Sequence, residues 1–134
     1  MKKLMSVIAV LCLLLIFVDF VAIIMNPMRW SQENVRSYAL ELTPLGTSME
    51  DVIAVVKREK RWAIDRIIYE KGYIYPPGKP DISIMSEKSI KVHAGTYRSF
   101  TMYIYTVSTI VTIYWGFDED GNLIDIYVQK DTHM

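Results

Sequence analysis

Hydrophobic and polar residues follow different periods along the chain, and each period predicts a different kind of element. Residues 4–25 form an almost unbroken apolar run that begins after two lysines and ends before Pro27. At 1.5 Å rise per residue, a membrane span needs about 20 apolar residues, which this run supplies. The first element is therefore predicted to be one transmembrane helix, with residues 1–28 as the anchor segment.

Insertion of this run is expected to be favourable although it contains one acidic residue. Fifteen of its residues are Leu, Ile, Val or Phe, and together they contribute on the order of −4 to −9 kcal/mol on an insertion scale. Asp19 opposes insertion by at most about 3 kcal/mol. Asp19 is a candidate intramembrane contact, to a partner helix or a polar lining. The alternative is a protonated or snorkelling carboxyl group near the outer third of the span.

A cleaved signal peptide and a lipidated cysteine are the alternatives to an anchor. The run exceeds the roughly 7–15 apolar residues of a cleaved signal peptide, and no pair of small residues follows it at the spacing of a cleavage site. Cys12 is preceded by Leu11 and followed by further apolar residues, which disfavours lipidation. The chain is predicted to keep its anchor.

Basic residues around the run predict its orientation. Lys2, Lys3 and the amino terminus precede it, and Arg29 is the first charged residue after it. By the positive-inside rule, the amino terminus lies in the cytoplasm and residues 29–134 lie outside. The predicted location is the cytoplasmic membrane of a bacterial cell envelope, crossed once, with the lipid bilayer as partner of residues 4–25.

Two segments after the anchor have the spacing of short amphipathic helices, over about 31–41 and 48–61. Ser31 and Ser48 are suitable N-caps, and Asp51 complements the second helix start. The second helix ends in the basic run 57–61, which suits the negative end of the helix dipole. Contact of this run with anionic lipid headgroups would require the fold to bring it close to the bilayer.

From Trp62 onward, β-branched and aromatic residues alternate with polar ones, which is typical of strands. Ser108 and Thr109 are interpreted as a break between two of them, and residues 76–89 as a proline-containing loop. The predicted strands span about 63–75, 89–95, 97–107, 109–118 and 122–130. The predicted fold class is α+β, with two short helices packed on one face of an antiparallel sheet of about four strands.

The last two strands form the clearest predicted hairpin, with Asp120 and Gly121 at the centre of a two-residue turn. Directly opposed residues share a face of the sheet. The predicted apolar pairs are Phe117 with Ile124, Trp115 with Ile126, and Ile113 with Val128. The predicted pairs on the opposite face are Tyr114 with Tyr127 and Thr112 with Gln129.

Tyrosines on that opposite face are the candidate partner-binding residues. Tyr103, Tyr105, Tyr114 and Tyr127 are predicted to share it. Exposed tyrosines on a rigid sheet offer contact area at a low entropic cost, as protein interfaces require. The alternative is that the loop or the first strand of the same domain covers them.

The helix starts and the hairpin together resemble a known family. The chain resembles the SmpA/OmlA-like lipoproteins, which supply the small subunit of the outer-membrane barrel-assembly machinery, and the related β-lactamase-inhibitor-protein fold. The resemblance covers roughly residues 31–130. The residues that match the start of the family's second helix and its final hairpin are Gly46, Ser48, Asp51, Val52, Trp115, Phe117, Asp118, Gly121 and Leu123.

The departures from this family limit what the resemblance implies. The family is anchored by a lipidated cysteine, whereas this chain has an apolar helix. The family's Leu-Gly-x-Pro after the second helix is replaced by residues 57–62, Lys-Arg-Glu-Lys-Arg-Trp. The resemblance therefore implies the architecture and an adaptor role outside the cytoplasm, and it does not extend to barrel assembly.

Composition and residue spacing disfavour most kinds of chemistry. The 15 basic and 15 acidic residues balance, which disfavours a nucleic-acid partner. The single cysteine lies in the anchor, so the outer domain is expected to have no disulfide. His93 and His133 lack partners at metal-ligand spacing. Residues 118–122 resemble the start of a calcium loop, but Gln129 stands where the loop needs glutamate. No metal or cofactor is expected.

The sequence therefore predicts a non-enzymatic binding or adaptor protein, anchored in the membrane, with a protein partner that the sequence does not identify. A small inhibitor or immunity-type protein at the outer face of the membrane is the alternative. An enzyme or an envelope-polymer hydrolase is a third class. It would need a pocket with convergent charged groups, and no motif in the sequence predicts one.

Overall fold

The fold is α+β, as predicted from the sequence. The computed structural model describes residues 1–70, 86–101 and 105–133, except for the side chains of residues 22–23, 99–101 and 105–106. The elements are α1 (Lys2–Met25), a 3₁₀ turn (Pro27–Arg29), α2 (Gln32–Leu42), α3 (Met49–Arg58), β1 (Ala63–Ile68), β2 (Lys88–Thr101), β3 (Tyr105–Phe117) and β4 (Leu123–His133). The strands form an antiparallel sheet in the order β1-β2-β3-β4.

Helix α1 stands apart from the rest of the chain. Among the described residues it is the one helix long and apolar enough to cross a membrane, and none of its apolar stretch is buried by the domain. Such a helix at the amino terminus serves as a membrane anchor or as a signal sequence. It ends at Met25, because Pro27 cannot continue it.

A single tight turn joins α1 to the domain. The Asn26 side chain accepts a hydrogen bond from the Met28 backbone N–H at 3.1 Å and so caps the 3₁₀ turn. Met28 is only 4% exposed and belongs to the hydrophobic core, where it packs beside Gly95 of β2. The core of the domain therefore begins three residues after α1 ends.

Both amphipathic helices begin where their caps predict. The Ser31 hydroxyl accepts from the Asn34 N–H at 3.2 Å, and the Ser48 hydroxyl accepts from the Asp51 N–H at 3.2 Å. Helix α3 ends at Arg58, three residues earlier than predicted, because Glu59 leaves helical geometry. This early end lets the chain turn and place Trp62 in the core, where it is 8% exposed.

The core lies between the two helices and one face of the sheet. Trp115 lies at its centre and is fully buried, and its indole N–H donates to the Thr43 hydroxyl at 2.9 Å. Thr43 in turn donates to the Ala39 carbonyl at 2.7 Å, so both buried polar groups are satisfied. Fully buried aliphatic residues from both helices and the two middle strands surround this pair: Val35, Val52, Val56, Ile90, Val92, Val111 and Ile113.

The two middle strands are longer than predicted. β2 continues through Gly95, where the predicted break is instead a bulge: the register shifts between His93 and Gly95, and Gly95 has φ +148°. A glycine can absorb such an extra residue without ending the strand. β2 thus replaces the strand predicted at 89–95 and the first part of the one predicted at 97–107.

The predicted break at Ser108 and Thr109 is wrong, because β3 passes through both residues. Thr109 pairs with Thr132 of β4, and their hydroxyl oxygens lie 3.2 Å apart. β1 ends at Ile68, and the predicted continuation over residues 71–75 lies outside the described residues. Most of the predicted loop, residues 76–85, also lies outside them, and its last two residues, 88 and 89, belong to β2.

The final hairpin has the predicted register along its body and a different turn. The pairs Trp115–Ile126, Ile113–Val128, Tyr114–Tyr127 and Thr112–Gln129 are confirmed. The pair Phe117–Ile124 is wrong, because the register shifts and Phe117 pairs with Leu123. The turn is one residue longer than a two-residue type: the Gly121 N–H bonds to the Asp118 carbonyl at 3.1 Å, and Gly121 has φ +81°. Leu123 is therefore buried, and Ile124 is exposed.

Replacing Gly121 by alanine is expected to lower the free energy of unfolding by about 1–2 kcal/mol, because an L side chain is strained at this positive φ. No heavy atom lies within 4 Å of the added methyl group, so crowding does not contribute. Gly121→Asn is the matched control, since asparagine tolerates this conformation. Denaturant unfolding of the full chain in detergent micelles measures both variants. Equal losses of stability in the alanine and asparagine variants would contradict backbone strain at residue 121 as the cause.

Candidate functional site

The sheet face opposite the helices carries the predicted tyrosines. Tyr114 and Tyr127 are direct cross-strand neighbours, with ring centroids 6.1 Å apart. Lys91, the β2 neighbour of Tyr114, places its ammonium nitrogen 6.0 Å from the centroid of that ring. The same ammonium group forms an ion pair with Asp65 at 3.2 Å. We call the surface formed by Tyr114, Tyr127 and Lys91 the tyrosine face.

Burial raises the pKa of the Tyr114 phenol above its ordinary value, and the Asp131 and Asp65 carboxylates raise it further. The phenol therefore remains a hydrogen-bond donor at neutral pH. It donates to the Gln129 side-chain oxygen at 3.3 Å. The amide nitrogen of Gln129 donates in turn to the Asp131 carboxylate, at 3.1 Å. These contacts hold the ring in a fixed position on the sheet.

Two of the four predicted tyrosines are placed on this face. Tyr103 lies outside the described residues. Tyr105 begins β3 and pairs with Thr101, but its side chain is not among those that the structure describes. The prediction that all four tyrosines share one face therefore stays a prediction for Tyr103 and Tyr105. The candidate surface therefore rests on Tyr114 and Tyr127.

A second group of residues lies where α1 joins the domain. The Arg29 guanidinium carbon lies 5.1 Å from the centroid of the Tyr97 ring, and the Lys130 ammonium nitrogen lies 5.2 Å from the same centroid. Arg29 donates to the Arg98 carbonyl at 3.1 Å. Lys130 donates to the Trp30 carbonyl and to the Tyr97 hydroxyl. We call Arg29, Tyr97 and Lys130 the junction cluster.

Neither cation of the junction cluster has a carboxylate partner among residues 1–70, 86–101 and 105–133. The ion pairs within the described part of the chain are Arg36 with Asp125 and Lys91 with Asp65. A small cleft beside the cluster is lined by Tyr97, by Asn26 and Met28 of the junction, and by Arg61. The last residue of the predicted basic run is thereby brought next to the end of α1.

An aromatic row connects the junction with the core. Its members are Trp30, Tyr38, Trp62 and Trp115, and successive ring centroids lie 6.0, 6.3 and 5.6 Å apart. The first two contacts are edge-to-face, a favourable arrangement of aromatic rings. Burial raises the pKa of the Tyr38 phenol, and the Glu59 and Glu41 carboxylates raise it further. The phenol is therefore neutral at physiological pH, and the row fixes the position of Trp30 over α2.

The sequence predicted the tyrosine pair but missed the junction cluster. The Tyr114–Tyr127 pair follows from hairpin register alone, which short-range sequence signals determine. Strand pairing places residues 97, 109 and 132 in one row, and Lys130 lies two residues before Thr132 in β4. Tyr97 meets Lys130 only because of these two pairings and the bulge at Gly95. The signal that could have found it is the basic Arg29 directly after the apolar run, a position that favours contact with headgroups.

Asp19 lies on the exposed surface of α1. The described part of the domain buries none of the apolar stretch of this helix. An intramembrane contact for Asp19 would therefore come from outside the described part of the domain, and it remains a prediction. Among the described residues, no group of three or more His, Cys, Asp or Glu side chains is close enough to hold a metal ion.

Comparison with known proteins leaves the chain without an assigned family. No family model matches it, and no curated protein and no solved structure has significant similarity to it.

Proposed function

We propose that this chain is a membrane-anchored adaptor whose domain binds a partner protein outside the cytoplasm. The observation that carries the proposal is the placement of α1, which is apolar, exposed over its span and separated from the domain core by one capped turn. A helix with such a surface is stable in a bilayer, because lipid replaces the missing protein contacts. The domain is then held against the membrane surface.

The tyrosine face supports the binding role. It combines two adjacent aromatic rings with the Lys91 cation, which is held by Asp65, on the sheet face opposite the helices. Tyrosine and charged side chains that are already held in place lose little freedom on binding, which favours affinity. Interfaces between proteins are enriched in such aromatic residues.

The resemblance to the SmpA/OmlA-like lipoproteins, itself a hypothesis, is consistent with this role. In that family a lipid holds a small domain of helices and an antiparallel sheet at a membrane, and here α1 stands in the position of the lipid. The shared element is an anchored domain that binds other proteins. The partner of this chain need not be a barrel-assembly subunit.

The tyrosine face can be tested by crosslinking in cells. A photoreactive phenylalanine analogue at Tyr127 is expected to crosslink to one partner protein. Adding Tyr114→Ser is expected to reduce that crosslink about tenfold, since a buried aromatic side chain contributes about 1.5–3 kcal/mol to binding. Gel separation and identification of the crosslinked band measure the effect.

The control places the same analogue at Leu45, which is 59% exposed in the loop between α2 and α3. No crosslink to the same partner is expected from that position. Equal capture from Leu45 and Tyr127 would contradict a specific surface. Unfolding of the domain by Tyr114→Ser, measured by circular dichroism, would instead assign the tyrosine face to the core and rule out its role in binding.

A further inference from the structure

We propose that the junction cluster binds the phosphate groups of anionic phospholipids in the membrane that α1 crosses. This inference rests on the proposed anchoring by α1, and it adds a ligand and a site for it. The site consists of Arg29 and Lys130 on the Tyr97 ring, with Arg61 in the adjoining cleft.

The first argument is depth. α1 has 24 residues, which at 1.5 Å each make a helix about 36 Å long. The hydrocarbon core of a bilayer is about 30 Å thick, so the end of α1 lies within the headgroup layer. Arg29 follows Met25 by four residues in a tight turn, and at most about 14 Å of chain separates them. The cations of the cluster therefore lie at the level of lipid phosphates.

The second argument is uncompensated charge. The Arg29 guanidinium and the Lys130 ammonium each lie close to the centroid of one ring, so they are at most about 10 Å apart. Like charges at this separation repel one another, and a nearby anion offsets that repulsion by attracting both. No carboxylate in the described part of the chain pairs with either group. An anionic group of the membrane would compensate both positive charges.

The third argument is preorganisation. Both cations are half-buried, and each is held by a backbone carbonyl, Arg98 for Arg29 and Trp30 for Lys130. Guanidinium and ammonium groups carry more donors than these bonds use, and the remaining donors are available to a phosphate oxygen. Trp30 and Tyr97 are the amphipathic aromatic residues that favour the membrane–water interface. A phosphate therefore meets positioned donors in a suitable environment.

A purely structural role for the same residues makes a different prediction. If Arg29 and Lys130 only tie the 3₁₀ turn to β2 and β4, their loss destabilises the domain and leaves its lipid preference unchanged. If they also bind phosphate, their loss lowers the preference of the chain for anionic lipid. The charge-conserving variant Arg29→Lys with Lys130→Arg separates the two, because it keeps the cations and changes their hydrogen-bond geometry.

The test is lipid binding to the full chain in neutral detergent micelles, measured by native mass spectrometry. Phosphatidylglycerol is titrated against phosphatidylcholine, which carries the same phosphate but no net charge. The wild-type chain is expected to retain phosphatidylglycerol preferentially. Arg29→Gln with Lys130→Gln is expected to weaken its binding about tenfold to thirtyfold, since each basic residue near a charged surface contributes about 1 kcal/mol.

The matched control removes two charges at the other end of the sheet, Arg66→Gln with Lys88→Gln. Lys88 lies seven residues before Gly95 in β2, which corresponds to about 23 Å. This control and the charge-conserving variant are expected to keep the wild-type preference. Denaturant unfolding of each variant verifies that the domain is folded under the conditions of lipid binding.

Several outcomes would overturn the proposal. They are a wild-type chain without preference for phosphatidylglycerol, an equal loss in the control variant, or displacement of the lipid by inorganic phosphate, which would indicate a site for free phosphate. Failure of the anchoring itself has a separate signature, since the chain would then be absent from washed cell membranes. A chain that is found in membranes but shows no lipid preference would contradict only the inference about the junction cluster.

Discussion

Replacing Trp115 by alanine is expected to lower the free energy of unfolding of the domain by about 3–5 kcal/mol. Trp115 is the largest fully buried side chain and forms the inner end of the aromatic row, where it contacts Trp62. The substitution leaves a cavity and removes the donor to the Thr43 hydroxyl, which is itself fully buried. A domain of this size is stable by only about 5–15 kcal/mol, so the variant should lose a large fraction of its stability.

Denaturant unfolding of the full chain in micelles measures this loss. Tyr69→Ala is the control, because that aromatic side chain is 61% exposed and its removal should cost less than about 0.5 kcal/mol. Trp115→Phe keeps most of the volume but not the indole N–H, and its loss of stability should lie between those of Trp115→Ala and Tyr69→Ala. A loss below about 1 kcal/mol for Trp115→Ala would contradict the central position of this residue in the core.

Replacing Leu14 and Leu15 by arginine is expected to move the chain out of the membrane. These residues lie at the middle of the apolar run, where each arginine costs about 2.5–3.5 kcal/mol and each lost leucine about 0.3–0.6 kcal/mol. The combined change of about 6–8 kcal/mol is as large as the estimated gain of about 4–9 kcal/mol from the apolar residues of α1. Fractionation of cells followed by an alkaline wash of the membranes measures the distribution of the chain.

Alanine at the same two positions is the control, and that variant should remain with the membranes. The mass of the wild-type chain from membranes distinguishes an anchor from a signal sequence. The intact mass is expected, and a chain that begins after residue 25 would establish cleavage. Retention of the arginine variant in washed membranes would mean that contacts of the domain, and not α1, hold the chain there.

Local patterns predicted the elements of this fold because their causes are local. The helix starts follow from Ser31 and Ser48, whose hydroxyls bond within one turn of the chain. The body of the final hairpin follows from the alternation of residues on both sides of its turn, which places Trp115 and Ile126 together on the buried face. No contact with a distant residue was needed for either prediction.

The errors arose where a distant contact decides the local structure. Gly95 was interpreted as an end of a strand, but pairing with β3 on one side and packing of Met28 nearby stabilise a bulge there. The turn at Asp118–Gly121 was predicted one residue too short. Backbone bonds from Met49 to the Gly121 carbonyl and from Leu123 to the Thr47 carbonyl, both 2.9 Å, connect this turn to the start of α3. The sequence near the turn does not contain that information.

The two candidate surfaces also differ in whether local or distant contacts form them. Tyr114 and Tyr127 were predicted to be neighbours because they are close in one hairpin. The junction cluster combines residues 29, 97 and 130, which are distant in the chain, and its geometry requires the complete sheet. Its charges could be counted from the sequence, but the sequence could not show that no carboxylate in the described part of the chain pairs with them.

The short turn between α1 and the core has a consequence for how an anchored domain of this kind can meet a partner. No flexible linker extends its reach, because Met28 is already part of the core. The longest strand in the described part of the chain, β2, has 14 residues, about 46 Å at the usual rise. Because β2 packs beside the junction at Gly95, all of its residues lie within a layer of about this thickness next to the lipid. A partner must come within that layer. If the partner is itself embedded in the membrane, both molecules diffuse in the same plane, and a modest affinity is enough for frequent encounters because their effective concentration is high.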